Sequence, residues 1–276
     1  MFDKLQQASR MNDNGAFPYL RSHPLTTERM ADMHARQQLL APRGAPHAPS
    51  ALHTLMAARA RVLANSSADA LRNGVSQAGM AGFEKQSTLR QASALYAAVM
   101  AHTQQREWDA GTRAHRRLLG LLKDEPEALR VAQWQGVELA LAQEQYERAL
   151  RSMPENAPRA SRAELLLWAQ VVQWADTPLR PVALTRLQQW VALHPSDGGA
   201  WQQLAALYRA QGLAIRALRA DAEARAAQFD YAGALDRFKA AQDLVRRGTD
   251  DFMEASIVDA RARALQLLLH EEALKR

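Results

Sequence analysis

The stretch AWQQLAALYRAQGLAIRAL, residues 200–218, decides how the chain folds. Trp201, Leu204, Ala205 and Tyr208 fall at helical spacing and share one face. Gly212 closes that helix. Ala217 then puts a small side chain into a second helix, where the two helices can touch closely.

The same pairing recurs along the chain. Ala149-Leu150, Ala183-Leu184 and Ala217-Leu218 are 34 residues apart in both intervals, and Trp134 and Trp168 are also 34 apart. Pro195, in ALHPSD, closes the third unit. A 34-residue period with a small second-helix residue is the tetratricopeptide (TPR) signature. REWDAGTRAHRRLL (106–119), QEQYERALRSM (143–153) and QFDYAGALDRFKAA (228–241) read as further turns and second helices. Gly111 to Ala149 is 38 residues, which places four extra residues near Lys123 to Pro126. The spacing thus predicts four helix pairs from 88 to about 218, a further helix pairing with 231–246, and a last helix over about 250–275. That last helix carries Ile257, Ala260, Ala264, Leu267 and Leu268 on one side, which is expected to cap the open core of the solenoid.

Ahead of the repeats the pattern is irregular. Residues 1–10 read as a short helix, 11–25 as a loop and 27–40 as a helix. PRGAPHAPS (42–50) is a linker ending in Ser50 as the N-cap of a helix over 51–65. Residues 66–87 are rich in Ser and Gly, with helical pattern only around Ala68 to Arg72. From about 125 onward Ala, Leu, Arg, Gln and Glu dominate and β-branched residues are scarce. The expected fold is all-α: a TPR-like helical solenoid preceded by a short irregular helical N-terminal segment. Its expected parts are 1–48, connecting helices over 49–87, and the repeat domain with its capping helix over 88–276.

Composition narrows the function classes. The chain has no cysteine, so disulfides, thiol nucleophiles and Cys-based zinc sites are excluded. No stretch reaches the ~20 apolar residues of a membrane span. The 35 Lys and Arg, against 29 Asp and Glu, give a net charge of +6. They are scattered, with no basic tract interleaved with aromatics, so nucleic acid is not the expected partner. The first residues have no signal-peptide core. Met1, Phe2 and Leu5 form one face of an amphipathic helix, a start that reads as the end of a domain begun upstream.

No catalytic constellation is present. His270-Glu271 is the one His-Glu pair, and the residue four places after His270 is Leu274, so the two-histidine zinc motif is missing. What remains is the chemistry of a repeat groove. In repeats of this kind, positions 2, 5, 9 and 12 of each first helix point into a concave surface. Counting from Trp201 as position 4, Tyr96, Trp134, Trp168 and Gln202 fall at position 5. Glu138, Val172 and Arg209 fall at neighbouring groove positions. Aromatics along such a surface would hold a peptide, another protein or a neighbouring domain. The alternative for Trp134 and Trp168 is packing between helices.

With the repeats placed, MFDKL and then YLRSHPLTTERMADMHAR (19–36), a linker and a TPR stack form a familiar order. The chain resembles the C-terminal half of the TPR-containing periplasmic zinc metalloproteases of metallopeptidase family 48, of the β-barrel assembly-enhancing type. SHPLTTER is the most specific element, and the closing AWQQLAALYRAQG, RFKAAQDLVRRG and DARARALQLL also match. The HExxH helix and the third zinc ligand of that family are not in this chain. The resemblance implies a periplasmic parent that is a zinc metalloendopeptidase, with residues 1–48 the remnant of its peptidase domain. Its partners would be the outer-membrane assembly machinery, misfolded β-barrel proteins and its own peptidase domain. His23 would be an inhibitory zinc ligand in the full-length protein only. This chain alone would bind no cofactor and be inactive.

Overall fold

The computed structural model describes residues 31–33, 35–36, 49–154, 161–175, 177–248 and 251–274, leaving aside the side chains of residues 272 and 273. The chain divides into two units, Met1–Pro49 and Ser50–Arg276. In the first, residues 31–33 and 35–36 are helical, within the helix expected over 27–40. The expected helix over 1–10, the loop over 11–25 and His23 lie outside the described residues.

The second unit is a helical solenoid, with no strand among its described residues. It begins with α1 (Ala51–Ala64), capped as expected by the Ser50 hydroxyl, which accepts from the His53 amide at 3.1 Å. α2 (Ala68–Gly79) follows, capped by Ser67, and a 3₁₀ turn covers Phe83–Lys85. The sequence marked only Ala68 to Arg72 here. The helix runs on through Gly74 because Leu71 is buried and α2 packs along the next helix, a tertiary gain that outweighs the poor propensity of glycine.

The repeats are four pairs: α3 (Thr88–Gln105) with α4 (Trp108–Leu121), α5 (Pro126–Ala142) with α6 (Tyr146–Arg151), α7 (Arg162–Trp174) with α8 (Arg180–Leu193), and α9 (Gly198–Ala210) with α10 (Ala214–Ala226). α11 (Tyr231–Arg246) and α12 (Phe252–Leu274) close the chain. First helices pack on first helices, α1 on α3, α3 on α5, α5 on α7 and α7 on α9, while each also packs on its second helix. Among the described residues three buried clusters, centred on α1 to α5, α5 to α10 and α10 to α12, form the core.

One turn recurs. Arg106, Glu144, Gly212 and Phe229 all adopt positive φ, at 60°, 58°, 73° and 64°. In each case the next amide bonds to a carbonyl five residues back: Glu107 to His102, Gln145 to Ala140, Leu213 to Tyr208 and Asp230 to Arg225, all at 2.9–3.0 Å. This is the Schellman closure of a helix C-terminus. In each case, too, the small residue five places on is buried: Gly111, Ala149, Ala217 and Ala234. The turn aims the second helix so that only a small side chain fits at the crossing. Its fourth occurrence, at Phe229, makes α10 serve as the first helix for α11.

α12 is turned opposite to expectation. Val258, Ala262 and Leu265 are buried, with Leu268 packed beside them, whereas Ile257, Ala260, Ala264 and Leu267 are exposed. Glu254 and Asp251 fix this orientation, because Arg219 and Arg216 of α10 draw them inward as ion pairs.

Candidate partner-binding groove

The inner face of α1, α3, α5 and α7 encloses a concavity of about 490 Å³. Its floor is polar. The Arg59 guanidinium donates to both carboxylate oxygens of Glu138, at 2.8 and 2.6 Å, and to the Tyr96 hydroxyl at 3.3 Å. Glu138 is the chief reason the guanidinium is held more firmly protonated than usual. Burial raises the Tyr96 phenol above its ordinary pKa, against the opposing pull of Arg59. Gln135 donates to the Tyr96 carbonyl at 2.8 Å and ties α5 to α3 beneath the groove.

The walls are apolar. Met56 comes from α1, Val131, Trp134 and Leu141 from α5, and Leu166 and Leu167 from α7. At the rim, Arg130 donates to Glu164 at 2.7 Å, and Glu164 also accepts from the Ser161 amide at 3.0 Å. Burial alone would raise the Glu164 carboxyl, but Arg130 and Ser161 outweigh it and hold it low. The charges of the groove therefore cancel pairwise, Arg59 with Glu138 and Arg130 with Glu164.

Of the seven residues expected to line a groove, Tyr96, Trp134 and Glu138 are brought together here. Gln202 and Arg209 are exposed on α9 and lie outside this concavity. Trp168 and Val172 are in the core, 1% and 0% exposed. The physical reason is a slip of one residue. Trp168, Val171, Val172 and Ala175 form the same buried set as Trp201, Leu204, Ala205 and Tyr208, at an offset of 33 rather than 34. One residue on a helix is a rotation of ~100°, which turns Trp168 inward and presents Leu166, Leu167 and Gln170 in its place. No family model matches the chain, and no characterised protein is found to be similar to it.

Sequence reading missed Arg59 and Met56, because α1 precedes the repeats and read as a connector. It missed Leu167 and Gln170 because the 34-residue frame was carried through α7. The 33-residue step from Trp168 to Trp201 was the available signal. Among the described residues no group of three His, Asp or Glu side chains could hold a metal ion, and no helix is long and apolar enough to cross a membrane.

Proposed function

We propose that this chain is a protein-interaction module whose inner groove binds a segment of a partner protein. The observation that carries it is the concavity of about 490 Å³ between α1, α3, α5 and α7, with half-buried apolar walls over a fixed ionic floor. That combination suits a ligand with bulky apolar side chains and a few polar groups for orientation. Because the groove charges are paired with each other, its ligand is an apolar segment rather than an acidic one, despite the net charge of +6.

The test is selection from a displayed peptide library. Enriched peptides should bear clustered apolar residues and lose binding to Leu167→Glu, with the circular dichroism of the protein unchanged. Enrichment of no sequence, or equal binding to Leu167→Glu, would overturn the reading.

A narrower proposal is supported by the SHPLTTER stretch and the order of segments around it. In it the module belongs to a periplasmic zinc metalloendopeptidase acting in outer-membrane β-barrel assembly and quality control. Its groove then holds the assembly machinery, misfolded β-barrel proteins or the peptidase domain, and His23 is the inhibitory ligand of the parent's zinc. Reading the coding sequence ahead of Met1 tests this: an in-frame HExxH supports it, and its lack leaves a stand-alone scaffold.

A further inference from the structure

The inner groove offers an incoming chain few free hydrogen-bonding groups. Its lining comes from α1, α3, α5 and α7, and the backbone groups of helix interiors bond along their own helices. Ser161, the N-cap of α7, is taken up in a reciprocal capping box with Glu164. Arg59 bonds to Glu138 and Tyr96, and the Gln135 amide donates to the Tyr96 carbonyl. The Trp134 indole nitrogen and the Gln135 side-chain oxygen present no accessible surface, so a ligand atom does not reach them. Among the described lining residues, that leaves the exposed Gln170 side chain, the first-turn amides of α7, and the outer edge of the Arg59–Glu138 pair, whose side chains are each one-third exposed.

An extended segment is poorly served by so few partners. Each of its residues carries one N–H and one C=O, about ten groups over five residues, and those turned to the groove lose water without gaining a partner. An α-helix arrives with its backbone already bonded and offers only side chains. The chain itself shows the arrangement. α1 packs on α3 and reaches α5 on the inner face, with Leu55 and Ala58 in the shared core cluster and Arg59 paired to Glu138. The groove continues that seat beyond Met56, across α5 to α7.

We propose that the groove takes an amphipathic α-helix of the partner protein, laid against α5 and α7 alongside α1; this rests on the groove being the binding site. Charge fixes the inner stripe of that helix. Arg59 is paired with Glu138 and Arg130 with Glu164, so a charged side chain on the stripe would be buried without a counter-charge. The stripe is therefore uncharged, with apolar residues at i, i+4, i+7 and i+11, and it packs as helix on helix. Met56 of α1 and Leu167 of α7 flank it from the two walls.

Two displayed peptide libraries, each selected on the full chain, test the proposal. One sets Leu, Ile, Phe or Met at i, i+4, i+7 and i+11 of an Ala-Glu-Lys frame. The other sets the same residues at i, i+2, i+4 and i+6 of a Ser-Thr-Lys frame. The helical library should be enriched and the alternating one should not. A selected helical peptide should gain helical circular dichroism on binding, and lose about a hundredfold in affinity when proline replaces a central frame residue. Met56→Glu and Leu167→Glu should each weaken its binding about tenfold or more, with the circular dichroism of the free protein unchanged. Equal or greater enrichment of the alternating library, lost to Leu167→Glu, would overturn the helix and leave the groove standing. Binding of the helical peptide that is indifferent to Met56→Glu would overturn its place beside α1. Enrichment of neither library would overturn both this inference and the reading on which it rests.

Discussion

The His115 imidazole of α4 packs onto the backbone of α5 at Gly136, where a Cβ would stand 2.4 Å from its Cε1 atom. The same ring donates from Nε2 to the Ala132 carbonyl at 2.8 Å. Gly136 is therefore glycine for space, at a helical backbone angle any residue could adopt. Gly136→Ala should destabilise the protein by about 1–3 kcal/mol, as an overpacked site does. Denaturant titration checks this. If steric conflict is the cause, the penalty of Gly136→Ala should be smaller in a His115→Ala background.

Burial also holds the His115 imidazole below its ordinary pKa, outweighing the hydrogen bond to Ala132. The folded state then binds fewer protons than the unfolded state, where the value is about 6.5. This contribution to stability is full above that pH and is lost as pH falls through it toward the folded pKa. Melting temperature should decline between pH 7 and 5, and His115→Gln should flatten that part of the profile.

Asp197 joins three elements. It caps α9 through the Ala200 amide, accepts from the Trp190 indole at 2.9 Å, and takes a bidentate bond from Arg162 at 2.6 and 2.7 Å. Arg162 is the main reason its carboxyl sits well below the usual range, so its contribution is present above about pH 3.9 and lost on further acidification. Asp197→Ala removes the cap and orphans the indole N–H, and should cost about 2–3 kcal/mol by denaturant titration. Asp197→Asn should cost less, because it keeps an acceptor.

Glu144 is an exposed residue at positive φ in the turn between α5 and α6. Glycine holds the same place at Gly212. Glu144→Gly should stabilise by up to about 1 kcal/mol, because relief of the left-handed strain exceeds the extra chain entropy of glycine. A rise in melting temperature without change in helicity is the expected reading.

Neighbouring residues on α7 should separate core from groove. Trp168→Ala should cost about 3–5 kcal/mol, the range for a buried aromatic. Leu167→Ala, half-buried in the groove wall, should cost far less and yet weaken peptide binding more. Thermal melts paired with binding titrations of one selected peptide decide this.

Much of the architecture was written in local pattern. Apolar spacing placed the repeat helices, Ser50 announced α1, and the 34-residue interval between Ala149, Ala183 and Ala217 placed the close crossings. Each of these is a property of a few adjacent residues. The groove was legible at α5, where Trp134 and Glu138 keep the frame of the repeat, and illegible at α7, where one residue fewer separates Trp168 from Ala183 than Trp201 from Ala217.

What the sequence by itself determined is that the chain is helical and repetitive, because helix formation and close helix crossings depend on residues near one another. The tertiary structure alone decided which face of each helix looks inward. Rotation about a helix axis is set by what the neighbouring helices bury. Arg216 and Arg219 turn α12 by drawing in Asp251 and Glu254, residues 35 positions away, and so leave Ile257, Ala260, Ala264 and Leu267 facing outward.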